Sequence, residues 1–234
     1  MGRDNPTHEA VPVGWWSSRP DRRGQPLPDA VLVIEVLALS NRRIAVVVGL
    51  LFFTQLVTFM IGSSLVQAYL DGETGRTSLS VGVLLEMVSG IAVVAIGVLM
   101  FRVLKTVDEK WALGYPVMRV TEFAVSAILA VYLLSQLQEV PNHLLWVYIP
   151  TGIGGLILNY LLFVSRLVPR PIAALGFVGY ALLLLGVPLD LIGAVDLSSG
   201  AGLALLAPGG LFEFIVLPIW LIAKGFRAPV AQIA

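Results

Sequence analysis

Four ionisable residues, Glu86, Arg119, Glu122 and Glu213, lie in stretches that otherwise hold almost only apolar and small side chains. Charge in such surroundings is costly, which makes each of them a candidate for function. Arg119 and Glu122 are three residues apart, so on a helix they share a face and come close enough to pair. Three carboxyl groups against one guanidinium leave a converging set short of positive charge. At least one carboxyl is then expected to carry a proton, and Glu213 is the expected carrier, since no basic residue lies within a turn of it. A carboxylic acid of this kind donates a hydrogen bond or passes a proton, so Glu86 and Glu213 are the candidate catalytic residues. Arg119, Glu122, Asn159 and Trp220 are the candidate substrate contacts. Each also has a plainer reading. Arg119 can extend its side chain to the membrane interface, and Glu86 can face water near the end of its segment. Arg119, Glu122 and Glu213 can form an ion cluster that only fixes helix register. Asn159 suits an interhelical hydrogen bond, and Trp220 suits an interfacial aromatic belt.

Other chemistries lack their residues. There is no cysteine, and the two histidines, His8 and His143, fall outside the apolar segments. A histidine-based metal site or catalytic triad is therefore not expected. The sequence holds no G-x-S-x-G, H-E-x-x-H, phosphate-loop lysine or aspartate-rich prenyl-diphosphate motif. Neither metal nor cofactor is expected. Basic and acidic residues number 15 each, so no broad positive field recruits nucleic acid.

The elements that carry these residues follow from composition. Of the 234 residues, 57% are hydrophobic and 13% charged, with a mean hydropathy of +0.89. An ordinary soluble domain carries about 25% charge. Crossing a bilayer takes about 20 apolar residues. Six such runs are read, over 44–66, 81–101, 112–134, 144–164, 171–193 and 203–223. In hydrocarbon the backbone must satisfy its own hydrogen bonds, so each run is expected to be a helix. The fold class is all-α, a polytopic transmembrane bundle. Prolines and charges over residues 1–29 predict a disordered tail, 30–43 an interfacial helix interrupted by Glu35, 44–226 the transmembrane domain and 227–234 a short C-terminal tail. Of the 15 basic residues, all but Arg76 and Arg119 precede the first run or follow the second, fourth or sixth. By the positive-inside rule both termini are expected in the cytoplasm, and the membrane is expected to be the plasma or inner membrane of the cell.

Arg119-Val120-Thr121-Glu122 and the stretch Tyr160-Leu161-Leu162-Phe163-Val164-Ser165-Arg166-Leu167-Val168-Pro169-Arg170 are two distinctive motifs. Gly209-Gly210-Leu211-Phe212-Glu213 and Trp220-Leu221-Ile222-Ala223-Lys224-Gly225-Phe226 are two more. Together they resemble the bacterial integral membrane family known as domain of unknown function 4386, from about Arg43 to Phe226. The resemblance implies a bacterial membrane protein of six or seven helices and carries no activity. In general form the chain is also similar to small membrane-bound terpene cyclases, which lack aspartate-rich motifs and look to use carboxylates on separate helices. By that analogy Glu86 and Glu213 are the acids. The expected partners are the lipid bilayer and a small lipophilic molecule. The expected function is binding of that molecule, with acid-catalysed isoprenoid cyclisation or isomerisation as the chemistry. Proton-coupled transport is the alternative, and a scaffold without chemistry is the third reading.

Overall fold

The computed structural model describes the backbone of residues 28–227 and the side chains of 41–227. Apart from Pro28 and Asp29, the expected tail over 1–29 lies outside the described residues, as does 228–234. The chain divides into two compact units, Met1–Leu39 and Ser40–Ala234, and the membrane bundle is the second.

The helices are α1 (Pro28–Leu70), α2 (Arg76–Leu104), α3 (Glu109–Gln136), α4 (His143–Ser165), α5 (Arg170–Leu191), α6 (Gly200–Leu211) and α7 (Leu217–Ala223), with one π-helical turn over Phe212–Val216 between the last two. Six of these stretches are long and apolar enough to cross a membrane, the sixth being α6, the π turn and α7 together as Gly200–Ala223. Their outward faces are apolar as well, with Ile128 69% and Val131 67% exposed. Side chains of this kind at the perimeter of a bundle belong in hydrocarbon, not water. The protein is a multi-pass integral membrane protein.

Within the second unit the first membrane span is Asn41–Leu70, beginning a little before the expected start at Ile44.

Consecutive helices pack side by side from α2 through α6. α1 closes the ring. Gly62 of α1 and Gly82 of α2 lie so close that a Cβ on either would come within 2.8 Å of the other's carbonyl oxygen, and on its other flank Gly49 abuts Ile222 of α7. The core inside the ring includes Phe52, Met100, Tyr115, Leu158, Tyr180 and Phe212, all buried.

Arg42 locks the ring where it closes. Its Nη1 donates to the Leu221 carbonyl at 2.8 Å and its Nη2 to the Ile222 carbonyl at 2.6 Å. Both carbonyls belong to the last turn of α7, where that of Leu221 also accepts the Gly225 N–H at 3.0 Å, and a cation there meets the negative end of the helix dipole. Arg42→Ala is expected to cost about 1 kcal/mol, an exposed guanidinium being screened by water. Thermal unfolding in detergent checks it, and an unchanged midpoint would count against the lock.

The sixth span is the irregular one. Pro218 has no N–H to return to the carbonyl of Phe214, and its ring crowds that carbonyl. The helix widens there, and the Leu217 N–H bonds the Phe212 carbonyl five residues back. Single π turns of this sort occur mostly inside α-helices, often at functional sites.

Candidate functional site

Glu213 sits in the π turn, and the ion cluster forms around it. The Arg119 guanidinium, 1% exposed, reaches across from α3. Nη2 donates to Glu213 Oε1 at 3.1 Å, Nη1 to Glu122 Oε2 at 2.8 Å, and Nε to the Tyr115 hydroxyl at 3.1 Å. Glu213 takes two further donors. Gln55 Nε2 of α1 donates to Oε1 at 3.4 Å, and the Tyr180 hydroxyl of α5 donates to Oε2 at 2.7 Å. Ser89 of α2 ties in through the Gln55 carbonyl at 3.1 Å. Five helical elements are thus joined by one network in the bundle interior, where every lost bond would leave a polar group unsatisfied.

Beside the network lies a cavity of about 310 Å³ to which all six spans contribute. Its polar wall comprises Gln55, Glu86, Glu122, Thr151, Tyr180 and Glu213, and Phe59, Val93, Phe123 and Phe214 are among its apolar lining. It extends to Glu139 and His143 at the α3–α4 connection, where the two side chains stand 3.5 Å apart. A second cavity of about 390 Å³ shares Glu139, His143 and Tyr148 and adds Asp190 and Asp196.

The candidate residues separate in this frame. Glu86, Glu122 and Glu213 share the cavity wall, while Arg119 stands behind it, engaged on three sides. Its side chain turns into the bundle and not to the interface. Two candidate contacts are not brought to the cavity. Asn159 is fully buried, donates Nδ2 to the Gly155 carbonyl one turn back at 2.8 Å, and packs against Gly176. Trp220 lies near the end of α7, its ring 5.2 Å from the Arg227 guanidinium. In both cases helix phase decides. Asn159 presents its amide to its own backbone and to α5, and Trp220 is nearly two turns past Glu213 toward the end of the span.

Glu213 and Glu86 differ in how far their oxygens are already engaged. Both oxygens of Glu213 accept hydrogen bonds from neighbours. Glu86 makes no hydrogen bond or ion pair among the described residues and faces the cavity half-buried. It is the carboxyl group available to a ligand. Gln55, Ser89, Tyr115 and Tyr180 are the network members that charge counting does not find. The two tyrosines carried a usable signal, since a tyrosine well inside a span, away from the interfacial belt, needs a hydrogen-bond partner for its hydroxyl.

A family profile described as a domain of unknown function, DUF4386, matches residues 44–141 and 128–225. The chain belongs to the DUF4386 family. No protein of curated function and no solved structure matches it. In this DUF4386 protein the first matched segment carries α1 from Ile44 with α2 and α3, and the second carries the end of α3 with α4 to α7. The ion pair between Arg119 and Glu213 therefore joins the first three spans to the last three.

Proposed function

We propose that this DUF4386 protein binds a small lipophilic molecule bearing one polar group in the intramembrane cavity, with Glu86 meeting the polar group. The supporting observation is the cavity itself, walled by three carboxylates and by phenylalanines, within a bundle of membrane-spanning helices. Pockets that bind small molecules combine a mainly apolar lining with a few convergent polar groups in this way. The ion cluster alone would serve a scaffold equally well. A half-buried carboxyl group left without a partner beside such a cavity serves no such purpose, because an unpaired charge drawn out of water costs stability.

The chemistry these groups permit is proton transfer at Glu86. In an enzyme this is acid–base catalysis on the bound molecule, of the kind an isoprenoid cyclase or isomerase needs, with the Arg119 network as a fixed wall. In a carrier the same proton is exchanged as access alternates. With both termini in the cytoplasm, as the basic residues indicate, the Glu139 end of the cavity faces the opposite side of the membrane.

Native mass spectrometry of protein taken from its own host's membranes tests the reading. Wild type is expected to carry a defined small-molecule mass, and Glu86→Gln of verified fold is expected to lose about nine-tenths of it, the effect of one lost polar contact. A bare wild-type protein would overturn the proposal. Turnover in detergent without a gradient then identifies an enzyme, and gradient-dependent flux in proteoliposomes identifies a carrier.

A further inference from the structure

We infer that the ligand of this cavity is a small lipophilic cation with N–H donors, a protonated amine in its simplest form. The inference rests on the cavity being a binding site and concerns which chemistry it selects.

The polar wall offers acceptors and keeps most of its donors engaged. Gln55 Nε2 and the Tyr180 hydroxyl donate to Glu213, the Ser89 hydroxyl donates to the Gln55 carbonyl, and the Thr151 hydroxyl donates to the Val147 carbonyl. Ser126 and Tyr148, which also line the space, can donate or accept. Against these stands a free acceptor. Glu86 has no partner among the described residues and faces the space.

Charge points the same way. Glu86, Glu122, Glu139 and Glu213 all face the cavity or its mouth. The one guanidinium nearby, Arg119, lies outside the lining with Nε, Nη1 and Nη2 already engaged, and His143 stands against Glu139. Among the described residues that line the cavity, an anionic ligand would find no free cation. Asp190 and Asp196 extend the acidic lining through the adjoining cavity. The apolar remainder is partly aromatic, with Phe59, Phe123 and Phe214, and aromatic faces attract cations. At about 30 Å³ for each water-sized group, the space takes about ten such groups.

The test compares three probes of one shape, adamantylamine, adamantanol and adamantanecarboxylate. Binding to the protein in phosphatidylcholine nanodiscs is measured by equilibrium dialysis at neutral pH, with protein-free discs as the baseline. The amine is expected to bind at least about tenfold more tightly than the alcohol, and the carboxylate not to bind. Glu86→Gln is expected to bring the amine down to the alcohol's affinity. Glu86→Asp, which keeps the charge, is expected to keep the preference and serves if the glutamine variant does not fold. Equal affinity for alcohol and amine would overturn the cation assignment while leaving the binding site standing, since a proton on Glu86 would then suffice. Tightest binding of the carboxylate would overturn it outright. Binding of none of the three would overturn both this inference and the binding site.

Discussion

Replacing Arg119 with methionine is expected to destabilise the bundle by about 3–5 kcal/mol, the largest effect of any single side chain here. Arg119 is the one cation against two buried carboxylates, 2.8 Å from Glu122 and 3.1 Å from Glu213. Its removal leaves both without their countercharge and the Tyr115 hydroxyl without the Nε donor. Most of that cost is the price of stranded charge, not of lost attraction, and this yields a sharper result. The triple variant Arg119→Met, Glu122→Gln, Glu213→Gln is expected to recover much of the lost stability, because replacing a whole buried ion cluster by neutral groups is often close to neutral. Arg119→Lys should fall between, since one ammonium cannot reach all three partners in the geometry of a guanidinium fork. Reversible unfolding in mixed micelles measures all three. An Arg119→Met protein within about 1 kcal/mol of wild type would mean that the cluster is not held as described.

The second large effect is expected from one added methyl group. A Cβ on Gly179 of α5 would collide with the Gly209 nitrogen and Cα, with the Pro208 carbonyl carbon at 2.9 Å. All three are backbone atoms and cannot swing aside, so α5 and α6 must separate. Gly179→Ala is expected to cost about 1–3 kcal/mol or more, as overpacked cores do. Gly179, Tyr180, Gly209 and Glu213 also line the cavity, so the displaced helices should weaken ligand retention too. Gly210→Ala is the matched control. Its Cβ would meet only Phe214 Cδ2 at 3.9 Å, an ordinary contact, and alanine is the better helix former. Thermal unfolding of the two variants side by side checks the pair. Equal midpoints would rule out the close approach of α5 and α6.

The fold was legible because hydrocarbon imposes a strong rule on sequence. A segment that crosses must be long, apolar and self-bonded, so composition alone marks the six spans and their all-helical nature. The ends were less legible. Capping and continuation decide them, as at the first span, which begins at Asn41 and not at Ile44. The charged candidates were legible for the same reason as the spans, since Glu86, Arg119, Glu122 and Glu213 break a pattern that tolerates few exceptions.

The six-span helical bundle follows from residue order, and so does the pairing of Arg119 with Glu122, because i,i+3 neighbours share a face however the helices pack. Which charges meet across helices depends on that packing. Arg119 and Glu213 are distant in the chain and come together because α3 packs opposite a span that Pro218 has loosened into a π turn. It likewise decided that Gln55 and Tyr180 engage Glu213 while Glu86 stays open to the cavity, and that Asn159 and Trp220 lie away from it. The physical reason is that an apolar span is nearly featureless around its circumference. The face it turns inward is set by close contacts such as Gly62 on Gly82 and Gly179 on Gly209, and those become visible only when the partner helix is in place.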